Sequence, residues 1–312
     1  MSKSISDTVP IPEGGGNEIS RHCVLCPRRC RVDRRVSAGF CRSPAEASVA
    51  RSAPHFGEEP CISGTRGSGT VFFTGCSLRC AYCQNRAISR GGAGKTVSVP
   101  ALREIFLRLR DTGVHNLNLV TAGHFILPVA EALSGLSLGI PVVCNSSGYE
   151  SVETLRMLEG LVQVYLPDFK YADPALAKRL SSAEDYPAVA LAAIKEMYRQ
   201  TGAFVLDAEG ILQRGVLIRH LILPGHAENT LRVIDAVEDN LPADKIMFSL
   251  MSQYTPMPGL EAFPELMRTV SPAEQERCLS YLDFSGIEHG YWQGADAATD
   301  EMIPAFDGTG IG

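Results

Sequence analysis

From Val71 onward, short apolar or β-branched runs alternate with stretches in which apolar residues recur at helical spacing. The strand candidates are 71–75 (VFFTG), 116–121 (NLNLVT), 141–144 (PVVC), 162–166 (VQVYL), 216–222 (VLIRHLI) and 246–250 (IMFSL), six in all. Helix signals fill the gaps. Ser98 can cap a helix in which Leu102, Ile105, Phe106 and Leu109 share one face, and Gly113 can close it. Asp173-Pro174 begins another, because proline fits a first turn where its missing N–H is not needed. Similar helices fit near 151–159, 185–201, 228–239 and 272–281. Strands separated by helices pair in parallel. The pattern therefore predicts an α/β domain of six βα units, an incomplete (β/α)6 barrel with its chemistry at the C-terminal strand ends. A doubly wound open sheet is the alternative, since pattern alone does not fix closure.

The front of the chain differs. Residues 1–20, with Gly14-Gly15-Gly16, offer nothing to bury and read as a flexible tail; 21–66 forms a cysteine-rich extension, and 67–312 holds the barrel and a C-terminal tail. At 312 residues, 45% hydrophobic and 21% charged, with mean hydropathy +0.02, the composition is that of a globular protein and excludes a membrane bundle. No apolar run of signal-peptide length opens the chain and no window of 18 apolar residues follows, so a cytoplasmic location and no membrane partner are expected. The net charge of 29 − 35 = −6 argues against nucleic acid as a general partner. Arg28, Arg29, Arg31, Arg34 and Arg35 are a local exception. That patch suits an acidic electron-donor protein or RNA phosphates, or is simply a solvated loop.

Eight of the ten cysteines lie in the first 83 residues. In a reducing compartment they read as metal ligands rather than disulfides. Directly after the first strand comes Gly75-Cys76-Ser77-Leu78-Arg79-Cys80-Ala81-Tyr82-Cys83-Gln84-Asn85, a C-x3-C-x2-C cluster. Three thiolates so spaced can hold three irons of a cubane and leave the fourth iron open, whereas a structural zinc site takes four protein ligands. Cys23, Cys26, Cys30 and Cys41 form C-x2-C-x3-C-x10-C, enough for a closed site holding either zinc or an auxiliary [4Fe–4S] cluster. Cys61, Cys144 and Cys278 read as structural thiols. Ser89–Thr96 and Gly64–Gly69 imitate phosphate loops but lack the spacing and flanking elements of one.

The three-cysteine motif at the end of the first strand of a βα-repeat domain resembles that of the radical S-adenosylmethionine (SAM) superfamily. The segments CVLCPRRC, GSGTVFFTGCSLRCAYCQN, NSSGYE, YLPDFKY, LIRHLILPG, SLMSQY and IPAFDGTG extend the resemblance, from about Cys23 to Ile311, to homologues of the pyruvate formate-lyase activating enzyme. The resemblance implies that Cys76, Cys80 and Cys83 hold a [4Fe–4S] cluster and that the amino and carboxylate groups of SAM chelate its open iron. Reductive cleavage then yields a 5′-deoxyadenosyl radical, which abstracts a hydrogen atom from a protein or peptide, forming a glycyl radical on a partner. An electron donor of flavodoxin or ferredoxin type is implied as well.

Other roles are carried over residue by residue. Tyr82 would lie against the adenine or the cluster. Thr121-Ala122-Gly123-His124 stands where the family has Thr-Gly-Gly-Glu, so the backbone of Ala122 and Gly123 would meet the SAM amino group while His124 replaces the glutamate. Asn145-Ser146-Ser147-Gly148 stands where the family has Asp-Thr-Asn-Gly. Asp168-Phe169-Lys170 and Arg219 match the family's strand-end residues and would hold the zwitterion and ribose of SAM in one cavity. Gln253-Tyr254 replaces a histidine; His115, His220 and His226 lie near strand ends, where proton transfer is one reading and a satisfied structural histidine the commoner one. Two other readings stand beside this one: radical SAM modification of RNA or of another polypeptide, and a non-enzymatic iron–sulfur redox or sensor module.

Overall fold

A computed structural model describes residues 19–293 and 304–312, so the expected tail over 1–20 falls almost wholly outside the described residues. In chain order the elements are β1 (Ala47–His55), α1 (Pro60–Ser63), β2 (Ser68–Phe73), α2 (Arg86–Ser89), β3 (Lys95–Val97), α3 (Val99–Asp111), β4 (Leu117–Val120), α4 (Ile126–Leu133), β5 (Val142–Ser146), α5 (Val152–Arg156) and β6 (Val164–Pro167). There follow α6 (Pro174–Ser181), α7 (Tyr186–Thr201), β7 (Val205–Leu206), β8 (Leu212–Leu221), α8 (Ala227–Glu238), β9 (Met247–Met251), α9 (Pro272–Asp283) and β10 (Gly290–Gln293).

The six expected strands are β2, β4, β5, β6, β8 and β9, and each pairs in parallel with the next. β10 adds a seventh parallel strand beside β9, while β1 pairs antiparallel with both β2 and β3. The sheet order β10-β9-β8-β6-β5-β4-β2-β1-β3 has two ends. The barrel is thus incomplete, as the pattern predicts.

Local chemistry explains the helices. The Ser98 side chain accepts from the Ala101 N–H, and Leu102, Ile105, Phe106 and Leu109 of α3 are all buried. Asp173 accepts from Ala175 and Leu176 to start α6, and Ser271 with Glu274 closes a capping box on α9. Their apolar faces cover the outer face of the sheet, each fully buried aliphatic side chain contributing about 1.5–3 kcal/mol.

The inner face is filled differently. Val143, Val164, Leu166, Leu217 and Met247 stand two or four positions before side chains that reach the cavity described below, on the same face of their strands, and they form a small apolar cluster with Leu212, Cys61 and Ile62. Cys61 and Ile62 belong to α1, so the segment just before β2 plugs the base of the barrel. Asn116 Nδ2 donates to Ile62 O at 2.7 Å, and Ser68 Oγ donates to Asn116 Oδ1 at 2.6 Å, which satisfies the polar groups beneath the plug. The line drawn at residue 66 therefore falls between parts of one sheet and one core. Residues 308–309 also return to β1, where Gly308 N bonds to Ala50 O and Ser52 N to Thr309 O.

Ile62 is fully buried in the plug. Ile62→Ala is expected to cost about 2–5 kcal/mol of unfolding free energy. Urea denaturation checks this, and a loss below about 1 kcal/mol contradicts the plug.

Candidate active site

Above the plug the C-terminal strand ends open into a cavity of about 280 Å³. Cys76, Cys80 and Cys83 form part of its wall, on the loop that leaves β2. Gly75 turns the chain there with φ +79°, and an added Cβ would meet Ser43 Oγ at 2.0 Å and Cys41 O at 2.5 Å. Burial pushes the Cys76 thiol up to about 12 and also raises Cys83, and the neighbouring Cys80 sulfur adds to both. The three thiols thus share one poorly solvated wall. As thiolates they need a cation. Three cysteines of one loop, opening on a cavity with no fourth cysteine in its wall, fit a cubane with one exposed iron.

Beside the thiols runs a chain of alternating charges. Arg219 engages each of its nitrogens: Nε donates to Asp168 Oδ1 (3.1 Å), Nη1 to Glu58 Oε2 (2.9 Å) and Nη2 to Asn145 Oδ1 (2.6 Å). Asp168 Oδ2 accepts from Lys170 Nζ at 2.5 Å, and Glu58 Oε1 accepts from the Nδ2 groups of Asn118 and Asn145, each at 3.1 Å. Burial opposes ionisation of Asp168, yet Lys170 and Arg219 hold its carboxyl below the ordinary value. Burial likewise opposes charge on Lys170, and Asp168 outweighs it, raising the ammonium to about 12. The sequence pattern places Asp168, Lys170 and Arg219 in one cavity; all three line it, and Asn145 lines it with them. The pattern missed Glu58, whose only signal was an acidic pair, Glu58-Glu59, in a glycine- and proline-flanked segment.

Tyr82 also lines the cavity, with its buried hydroxyl accepting from Tyr171 Oη at 2.9 Å. Thr121, left-handed at φ +60°, forms part of the wall. Ala122 and Gly123 stand behind it rather than in it, and an added Cβ at Gly123 would meet the Glu150 carboxyl at 3.1 Å. That carboxyl is buried, which raises it to about 7, and its Oε2 accepts from Ser146 Oγ at 3.0 Å. A carboxyl therefore does sit beside the loop where His124 replaces glutamate, although it comes from another strand end. His124 itself bonds Thr74 O at 2.7 Å, and burial lowers it to about 3.

The three histidines near strand ends hold structural places. His220 is locked between Phe169 O (2.6 Å) and Thr230 Oγ1 (2.9 Å), His115 meets Arg66 and His226 meets Glu265, and none of the three lines the cavity. The expected basic patch is also corrected. Arg28 donates to Ser77 O (2.8 Å), Ser181 O (2.9 Å) and Ser182 O, and lies over the Phe40 ring; Arg34 is buried and donates to Ser43, Pro44 and His124 carbonyls. Arg35 pairs with Asp33. Two of the five arginines are clamps that fix the extension to the three-cysteine loop, because buried carbonyls need donors.

The structure also gathers Cys23, Cys26, Cys30 and Cys41. Burial raises Cys23 and Cys26, the latter to about 12, and the neighbouring sulfurs of the set add to both. Among the described residues no three His, Cys, Asp or Glu side chains stand close enough together to grip a single ion, so a metal at either cysteine set must close the sulfurs around it. Cys61, Cys144 and Cys278 are buried in apolar surroundings.

A thiol-lined cavity at the strand ends of a partial α/β barrel defines a metal-dependent enzyme of the barrel class. The radical SAM superfamily matches residues 70–237, more than half of the chain, and the chain belongs to that superfamily. Membership makes it an enzyme of radical chemistry and implies a [4Fe–4S] cluster and SAM. The chain is 32% identical over 275 residues to the uncharacterized protein MJ0674 of Methanocaldococcus jannaschii, covering 85% of this chain and 75% of that protein. Among solved structures it is similar to SuiB of Streptococcus suis (TM-score 0.44, 14% identity, 71% of this chain), of which it spans 47%, about half. It is also similar to methylornithine synthase PylB (0.46, 17%, 72% of this chain and 64% of that one). A third is a domain of a pyruvate-formate lyase-activating enzyme from Bacteroides vulgatus (0.36, 14%, 63% and 91%). Among the described residues no helix is long and apolar enough to cross a membrane.

Gly75 offers a direct test of the loop. Gly75→Ala is expected to displace the cysteines and drop iron bound after anaerobic reconstitution to well under half of wild type. Gly113→Ala, with similar φ (+82°) but nothing within 4 Å, should retain it. Equal iron in the two variants contradicts the tight turn.

Proposed function

We propose that Cys76, Cys80 and Cys83 hold the [4Fe–4S] cluster, that SAM lies along the strand ends against Tyr82, Thr121, Asn145, Asp168, Lys170 and Arg219, and that the substrate is a partner polypeptide on which a glycyl radical is formed. The observation that carries this reading is the meeting of three buried thiols from one loop with a buried ion-pair chain on a single cavity. When bound, the cluster supplies the electron that cleaves SAM, releasing the deoxyadenosyl radical that takes a hydrogen atom from substrate.

The chain's own residues bind, orient and keep water out. Lys170 Nζ, with one acceptor among the described residues, has N–H groups to spare for the SAM carboxylate. Arg219 has each of its three nitrogens engaged, by Asp168, Glu58 and Asn145, so it fixes the wall and sets the local field rather than offering a free fork. The Tyr82 ring gives adenine a flat apolar surface. Ala122 and Gly123, packed on Glu150, hold the Thr121 turn in place. The buried walls limit the water and stray hydrogen donors that quench a carbon radical. The segment over 21–66, part of the same sheet and core, carries four thiols that form a second metal site, zinc or iron–sulfur, and a flavodoxin or ferredoxin is the electron donor. Arg28 and Arg34 are spent on carbonyls, which leaves the RNA reading only the exposed Arg29, Arg31 and Arg35.

Anaerobically reconstituted protein with reductant and SAM should release 5′-deoxyadenosine, and the Cys76/Cys80/Cys83 triple alanine variant should release none. Lys170→Ala should raise the SAM KM at least tenfold. Iron-replete wild type that never forms 5′-deoxyadenosine contradicts SAM cleavage; product without a glycyl radical signal on partner polypeptides contradicts the activating role.

A further inference from the structure

The cavity holds more acid than its bases use. Glu58, Glu59 and Asp168 face Lys170 and Arg219, three carboxyls against two cations. Glu58 and Asp168 are taken up by Arg219 and Lys170. Glu59 is left over: it is 2% exposed, it lines the cavity, and its Oε2 has no hydrogen-bond partner among the described residues. Burial raises its carboxyl against the pull of Arg219, and the Ser249 hydroxyl lies near enough to lower it.

Two further buried oxygens in the same interior lack partners. They are Ser249 Oγ on β9 and Asn118 Oδ1 on β4, whose amide nitrogen is already committed to Glu58. Ser249 and Asn118 each stand two positions before a strand-end residue of the cavity wall, Met251 and Val120. Ser249 pairs in register with Arg219 on the neighbouring strand, and Asn118 Nδ2 donates to Glu58 Oε1. Buried polar atoms are nearly always paired in native proteins, and an open carboxylate oxygen in the cavity wall calls for a donor-bearing group. None of the three belongs to the set assigned to SAM.

We propose that Glu59, with Ser249 beside it, forms a subsite of this cavity that receives a primary ammonium group of the substrate. An ammonium is compact, brings three N–H donors and carries the single positive charge that balances the third carboxylate. A lysyl side chain of a polypeptide and a free alkylamine present the same group on a slender stem. The proposal rests on the reading of this cavity as the SAM and substrate site and names the chemistry of the substrate end that enters first.

The test is anaerobic calorimetry on SAM-saturated holoprotein, titrated with putrescine, free lysine and the peptide Gly-Lys-Gly, each beside its N-acetylated form. At least one amine should bind, and acetylation should weaken it tenfold or more. Glu59→Gln should also weaken it at least tenfold, and Ser249→Ala about threefold, while SAM affinity in both variants stays within twofold of wild type. Binding of the peptide alone assigns the ammonium to a polypeptide, and binding of the free amines alone to a small molecule. No binding by any amine at millimolar concentration, in protein that takes up SAM normally, overturns the subsite. So does a Glu59→Gln variant that loses SAM as strongly as amine. Wild type that fails to bind SAM strikes the underlying reading and the subsite together.

Discussion

A guanidinium buried inside a half-open barrel is the constraint on which the rest of this site depends. Arg219 cannot stay charged there without acceptors, and an uncompensated buried charge costs roughly 3–5 kcal/mol. The fold supplies them from three places: Asp168 after the adjacent strand, Asn145 from the strand beyond, and Glu58 from the extension. Each acceptor is held in turn, Asp168 by Lys170 and Glu58 by two asparagine amides. The network thus fixes strand ends that are distant in sequence into one wall. It also explains why the residues before β2 are not an appendage: they bring the carboxylate that Arg219 requires and, four residues on, the isoleucine that plugs the barrel base.

The same extension supports the thiol loop from the other side. Arg28 holds the Ser77 carbonyl inside the motif, Arg34 holds the His124 carbonyl, and the backbone of Cys41 presses so closely on Gly75 that no side chain fits between them. The four-thiol set therefore abuts the three-thiol loop. Positioning through such a frame is what a reactive radical demands, since binding and orientation are the protein's share of cofactor chemistry.

The βα core was legible because its signals are local and periodic: β-branched runs for six strands, and Ser98, Asp173 and spaced leucines for helices. The cysteine loop was legible because metal chemistry fixes spacing. What escaped lacked those signals. β1 is rich in Ser and Ala with only one β-branched residue, β10 is four residues long, and α4 is apolar over most of its length and so shows little amphipathic period. Glu58 and Glu59 matter through contacts with residues 60 to 190 positions away, which no window of sequence displays. The arginine patch misled for the same reason, because a charge run reads as surface until the carbonyls that absorb it are located.

The central claim is that the three-cysteine loop holds a cluster whose open iron meets SAM. It is tested most directly by iron, sulfide and zinc analysis of wild type and the Cys76/Cys80/Cys83 triple alanine variant, joined to electron paramagnetic resonance of the reduced protein with and without SAM. The account predicts that the variant binds about four fewer irons per chain and that SAM reshapes the wild-type cluster signal. Equal iron in the two proteins, or a cluster signal indifferent to SAM, would contradict it.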